Sequence, residues 1–213
     1  MLTVHHLGKS QSERIVWLCE ELGIPYELKR YNRDPVTILA PAEYRALHPI
    51  GAAPVITDGD LVLAESAAIT EYIIVKHGNG RLALGPSHPG FAAYLYWFHF
   101  ANGTLQPVMA RKSLLRRAGT PDDHPAALFV KERVGRALGL VEARLGEAEY
   151  LAGREFTAAD IMTVFTLTTM RYFAPADLTP FTNILAYLQR IAARDAYRRA
   201  MQKGDPDMPL LLT

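Results

Sequence analysis

The stretch His48-Pro-Ile-Gly-Ala-Ala-Pro-Val-Ile56, followed after a short hairpin by Leu63-Ala-Glu-Ser-Ala-Ala-Ile69, decides the fold. Pro54 to Thr57 and Leu61 to Leu63 read as short strands, joined by the hairpin signal Asp58-Gly59-Asp60. Proline cannot donate to a sheet ladder, so Pro54 at a strand start needs a reason. Two readings stand. A trans proline opens an edge strand, or a cis peptide turns the N–H and C=O of Ala53 outward, where an extended peptide pairs with them as an added strand. Glu65 and Ser66 then fall at the start of a helix over 66–76, with Ile69, Tyr72 and Ile73 on one stripe. Ser66 suits a cap or a first turn. The same helix start offers N–H groups and partial positive charge to a carboxylate, and Glu65 is placed to hold an ammonium group.

Upstream, Leu2 to His6 reads as a strand. Ile15, Leu18, Cys19 and Leu22 recur at helical spacing and Gly23 supplies a stop. Tyr26 to Arg30 is a second strand, and a short helix follows near Pro41 to Leu47. The order is β-α-β-α-β-β-α. Between them, Gly8-Lys-Ser10-Gln-Ser12-Glu13-Arg14 joins the first strand to the first helix, with Ser10 and Glu13 spaced as a capping box. Downstream, glycine and proline crowd residues 78–90, as in a linker. Beyond it the patterns are helical: Val134, Leu138, Val141 and Leu145, then Ile161, Val164, Phe165 and Thr168, then Ile184, Leu185, Leu188 and Ile191. The sequence predicts an α/β domain over 1–77, a linker over 78–89 and an all-α domain over 90–213.

Composition excludes several functions. Hydrophobic residues are 49% and charged residues 21% of 213, ordinary for a globular chain. A formal net charge of +1 gives no electrostatic case for nucleic acid or an anionic membrane. The single cysteine, Cys19, excludes an internal disulfide and a thiolate-rich zinc site, and its place in an apolar stripe reads as a buried, inert thiol. His5 and His6 on one strand point to opposite faces and do not chelate together. Arg111, Lys112, Arg116 and Arg117, and the run Arg190, Arg194, Arg198, read as solvated faces. With neither a basic apolar leader nor a run of roughly 20 apolar residues, a cytoplasmic protein with no membrane association is expected.

Taken together, the Ser10–Leu28 segment, the two stretches quoted first and Phe156-Thr-Ala-Ala-Asp160-Ile resemble the cytosolic glutathione transferase family, along essentially the whole chain. The resemblance implies a thioredoxin-like N-terminal domain and a helical C-terminal one. It implies a cis Pro54 with Ala53 pairing to the cysteinyl backbone of glutathione, and Glu65 and Ser66 at the γ-glutamyl end. The pattern is most similar to serine-type bacterial and fungal members, with Ser10 as the catalytic residue that activates the thiol and Ser12 as the next candidate. Thr157 and Asp160 match the family's capping box before a buried helix. Glutathione is then a co-substrate, no metal is needed, the second substrate is a hydrophobic electrophile, the role is detoxification and the assembly a homodimer. An electrophile pocket is expected between the domains, with Leu105, Met109 and Tyr172, beside Tyr94 and Phe98, as candidate walls. Two departures stand out. Ala52 replaces a basic or polar residue that can hold the glycyl carboxylate, leaving that contact to the segment 33–44. Asn102 replaces an acid that can reach the partner subunit's site. Peroxidase or isomerase activity, or non-catalytic binding, are the rival readings.

Magnitudes allow Ser10 its role. A free thiol ionises near ~8.5. Lowering that by about two pH units needs roughly 2.7 kcal/mol. A hydrogen bond to a charged group supplies ~1.5–3 kcal/mol and a helix N-terminus ~0.3–1 kcal/mol. A hydroxyl at a helix start therefore suffices without a general base.

Overall fold

The computed structural model describes residues 1–213. Contacts divide them into two compact units: Met1–Ala83 with Ala192–Pro209, and Leu84–Ile191 with Leu210–Thr213. A single cut at a 78–89 linker therefore does not describe the chain, because its last helix returns to the first unit.

That unit runs β1 (Leu2–Leu7), α1 (Glu13–Leu22), β2 (Glu27–Tyr31), α2 (Ala42–Arg45), β3 (Val55–Asp58), β4 (Leu61–Ala64) and α3 (Ser66–Lys76), closed by α9 (Asp195–Gly204). The sheet order is β2-β1-β3-β4, with β1 parallel to β2 and antiparallel to β3. This is the thioredoxin-like arrangement. On one face α1 packs against β1, α3 and α9. Hence its burial extends well past the apolar stripe to Glu13, Arg14 and Glu20. On the other face Leu7, Tyr31, Tyr44, Val55 and Ala64 form a second small core with Ala53 packed on it. Strand alternation sends His5 to Tyr31 Oη (3.0 Å) and His6 to the opposite side. Cys19 is fully buried, and burial pushes its thiol pKa up.

The returning helix is held by charge and by rings. Arg194 donates two hydrogen bonds to Glu21 (2.7 and 2.8 Å), and Arg199 and Lys203 donate to Glu20. Tyr197 meets Trp17 edge-on at 4.9 Å. The run Arg190, Arg194, Arg198 is thus not one solvated face: it spans a helix break, and Arg194 is a half-buried ion-pair partner.

The second unit holds α4 (Phe91–Phe100), α5 (Gln106–Arg117), α6 (Pro125–Glu147), α7 (Ala158–Leu167) and α8 (Thr182–Ala192). Between α4 and α5 lies one π turn, Ala101–Leu105. Pro107 explains it. Its ring lacks an N–H and crowds the carbonyl four residues back, that of Gly103, so regular α-helical bonding fails there. Every residue of α7 is buried. The Thr157–Asp160 capping box forms at its start, and Asp160 also accepts from Leu151 N–H (3.0 Å) and Tyr187 O–H (3.0 Å). Burial pushes the Asp160 carboxyl up to about 6 against those bonds. No helix is long and apolar enough to cross a membrane.

Candidate active site

The Ala53–Pro54 peptide is cis. Ala53 is partly buried and Ala52 exposed beside it. Two turns converge on this strand start, one before α1 and one before α3. The tie between them is Gln11. Its Nε2 donates to the Ala53 carbonyl (2.9 Å), while its Oε1 accepts from Arg14 Nη1 (2.8 Å) and Ser66 Oγ (3.4 Å). Arg14 Nη1 also donates to Ser66 Oγ (3.3 Å). Arg14 is fully buried, and burial pulls its pKa down to about 9 against the pull of Glu13. A carbonyl has two lone pairs, so Ala53 can accept from Gln11 and from a peptide ligand together.

Ser10 is 5% exposed at the head of α1. The expected capping box with Glu13 does not form. The helix opens later, at Glu13, with Ser12 in the cap position and no side-chain cap bond. Ser10 Oγ instead accepts from Ser12 N–H (3.2 Å), a turn closed by the hydroxyl two residues back. It also lies 2.7 Å from Ser12 Oγ. Ser12 in turn contacts the Leu7 backbone and His6 Nδ1.

Ser66 is buried at the first position of α3, but it does not cap the helix: its hydroxyl faces Gln11 and Arg14. Glu65 is exposed in the cap position, without a side-chain cap bond, at φ 71°. Arg33, from the segment suggested to replace a basic side chain at position 52, donates to the carbonyls of Gly8 (2.9 Å), Ile38 (2.9 Å) and Lys9 (3.3 Å). It thereby holds the turn that carries Ser10.

The structure thus brings Ser10, Ala53, Pro54 and Ser66 into one framework, with Glu65 at its edge. Gln11 and Arg14, which complete it, carry no sequence signal beyond i, i+3 spacing, since their partners lie 42 and 52 positions away. The other expected residues belong to the helical unit. Asn102 sits half-buried in the π turn. Leu105, at the end of the π turn, and Met109, in α5, are 0% and 1% exposed, with their side chains in the core of the helical unit. Tyr94 and Phe98 are buried likewise, whereas Tyr172 keeps part of its surface.

A thioredoxin-like unit with a cis-proline strand start and a hydroxyl-bearing turn, joined to a helical unit, defines the glutathione transferase class. Comparison with known proteins agrees. Residues 10–74 match the model of the glutathione S-transferase N-terminal domain and residues 100–195 that of its C-terminal domain. Glutathione S-transferase 3 of Schizosaccharomyces pombe is 32% identical over 95% of this chain and 88% of its own. A crystal structure of a glutathione S-transferase from Actinobacillus pleuropneumoniae is 33% identical, with a TM-score of 0.85 over 96% of this chain and 93% of the other. A Pseudomonas fluorescens glutathione transferase family member, solved with two glutathione bound, shares the fold at 23% identity and a TM-score of 0.80 over 94% and 92%. The chain belongs to the glutathione S-transferase family.

Proposed function

We propose that this chain conjugates glutathione to electrophilic small molecules with Ser10 as its catalytic residue. Glutathione lies extended along the Ala53–Pro54 edge and pairs its cysteinyl backbone with Ala53 as an added strand would. Its γ-glutamyl end meets Glu65, Ser66 and the start of α3, where N–H groups favour a carboxylate. Its sulfur faces Ser10. The reading is supported above all by the state of the Ser10 hydroxyl: the oxygen already accepts from Ser12 N–H, which polarises the O–H for donation to an anion. The thiolate then attacks carbon, forming the C–S bond as the leaving group departs with its electron pair. Family resemblance extends the proposal to a hydrophobic electrophile, a detoxifying role, a cytoplasmic setting and a homodimer in which Asn102 faces the partner.

The test is glutathione binding by calorimetry, then turnover with a chloronitroarene and with cumene hydroperoxide, in wild type and Ser10→Ala. Chloronitroarene turnover is expected, with kcat down about 10–100-fold in Ser10→Ala, the size of one hydrogen bond to a charge, and glutathione affinity nearly unchanged. Turnover of hydroperoxide alone would reassign the activity to peroxide reduction. Absence of glutathione binding at millimolar concentration would remove the proposal.

A further inference from the structure

A thiolate held at Ser10 leaves a proton to place. The hydroxyl chain that starts at Ser10 ends on a buried histidine and carboxylate. Ser10 Oγ lies 2.7 Å from Ser12 Oγ, Ser12 Oγ lies 3.0 Å from His6 Nδ1, and His6 Nε2 lies 3.0 Å from Asp205 Oδ2. The His6 and Asp205 side chains are 1% and 9% exposed. The pocket fits the ring closely. A Cβ on Gly204 would come within 3.1 Å of His6 Nε2 and 3.2 Å of Cε1, so glycine lets the imidazole lie against the backbone. Lys9 N–H donates to the other Asp205 oxygen (3.0 Å). Burial opposes charge on Asp205, but His6, Lys9 N–H and Arg30 outweigh it and hold the carboxyl below its ordinary range. The charged groups around the ring are therefore Asp205 beyond α9, Arg30 on β2 in register with His6, and Arg33, whose charge is coupled to that of Asp205.

Counting protons gives this chain a direction. Ser12 Oγ accepts from Leu7 N–H (3.1 Å), leaving one lone pair and one proton for Ser10, for His6 Nδ1 at 3.0 Å and for the more distant Leu7 carbonyl at 3.3 Å. With Asp205 ionised, a neutral His6 carries its proton on Nε2 and accepts at Nδ1 from Ser12 O–H. Ser12 then accepts from Ser10, and the only proton of Ser10 faces away from a ligand. With His6 doubly protonated every bond reverses. Nδ1–H donates to Ser12, Ser12 to Ser10, and Ser10 O–H is released for sulfur.

We propose that His6 receives the thiol proton of glutathione through Ser10 and Ser12, with Asp205 holding the imidazolium. The inference rests on Ser10 standing at the sulfur. The S–H proton passes to Ser10 Oγ, the Ser10 proton to Ser12 Oγ and the Ser12 proton to His6 Nδ1. No atom is gained or lost, and one thiol and one imidazole become one thiolate and one imidazolium. When the C–S bond has formed, the proton returns outward along the same bonds to the departing anion or to water. The connectivity is that of a Ser-His-Asp triad with a second serine interposed. His6 and Asp205 are positioning residues that act through the two hydroxyls.

The experiment reads His6 by NMR of histidine-labelled full-length protein at pH 7.5, with saturating glutathione or S-methylglutathione, and the bound thiolate by its ultraviolet absorbance across pH. Glutathione is expected to move the His6 ring signals toward those of the imidazolium, and S-methylglutathione, which has no thiol proton, to leave them where they stand in the unliganded protein. Ser12→Ala and His6→Asn are expected to raise the midpoint of thiol ionisation by about one pH unit, roughly tenfold less thiolate at a given pH below it. An unchanged His6 state with both ligands overturns the relay, and the wild-type measurement decides this even where a variant fails to fold. If Ser10→Ala raises the midpoint while Ser12→Ala leaves it in place, the relay falls and Ser10 keeps its role. If Ser10→Ala leaves it in place, both fall.

Discussion

At the scale of single residues, Glu65 carries a conformational cost. Its φ of 71° and ψ of 113° place a residue with a Cβ in a region that costs on the order of 1–3 kcal/mol. Nothing local repays this, since Glu65 makes no side-chain cap bond. Stability and function should therefore separate here. Glu65→Gly is expected to raise unfolding free energy by on the order of 1 kcal/mol, after the added freedom of the unfolded chain is subtracted. Glu65→Gln keeps the strain and removes the charge. Both should weaken glutathione binding about 10–100-fold, the worth of a charge-assisted bond to an ammonium group. Calorimetric titration and urea unfolding of the two variants check this, and unchanged affinity in both would take Glu65 out of the site. Residues such as Pro54, Glu65 and Ser66 were legible because turns and helix starts leave a local mark. Ser10 was legible in place but not in geometry: α1 starts at Glu13, too late for the capping box its spacing suggests. His6 and Asp205, 199 positions apart, leave no local mark at all.

At the scale of elements, α1 shows how much a periodic pattern omits. Its stripe of Ile15, Leu18, Cys19 and Leu22 predicted a helix with one buried face. Polar Glu20 is buried as well, because α9 covers that side. Burial by itself raises the Glu20 carboxyl. Bonds from Lys203, Tyr26 and Arg199 outweigh it, and the folded pKa lies below the ordinary value. The unfolded chain, near ~4.3, then binds more protons than the folded one as pH falls, so this contribution is fully present above that value and is lost below it. Glu20→Gln is expected to cost about 1–2 kcal/mol at pH 7, a modest figure because Arg199 and Lys203 are half-exposed and screened. Its deficit against wild type should shrink as pH is lowered through about 4. Urea unfolding at stepped pH measures both, and a deficit that grows on acidification would contradict the assigned sign. The order of the elements along the chain, the hairpin and the Thr157–Asp160 box are readable in the sequence, since each depends on neighbours in sequence, whereas the sheet order β2-β1-β3-β4 pairs strands distant in the chain. The π turn has no periodicity to mark it, although Pro107 placed four residues after Gly103 is its cause.

At the scale of the whole molecule, the boundary in the sequence and the boundary in the structure differ for one reason. Glycine and proline mark where the chain becomes irregular, whereas a folding unit is defined by what covers its core. Residues 1–77 contain every motif assigned to glutathione, yet they leave the α9 side of α1 bare. On α9, Ala196, Tyr197, Ala200 and Met201 are buried, and Tyr197 packs on Trp17. Burying a large apolar side chain is worth roughly 1.5–3 kcal/mol. Losing Tyr197, Met201 and the ion pairs to Glu20 and Glu21 thus approaches the ~5–15 kcal/mol that typically separates folded from unfolded domains. A chain ended at Ala193 is therefore expected to lose glutathione binding and cooperative unfolding of its first unit, although Ser10, Ala53, Pro54, Glu65 and Ser66 all remain in it. That truncation also removes Leu211 and Leu212, whose carbonyls accept from Arg171 and Gln189 in the helical unit, so a point variant is needed beside it. Tyr197→Ala in the full-length chain is expected to cost about 3–5 kcal/mol, as for other large aromatic truncations in a packed core. Circular dichroism through a urea series measures both. A truncated chain that unfolds cooperatively at the wild-type midpoint would mean that the sheet and its first three helices stand without α9.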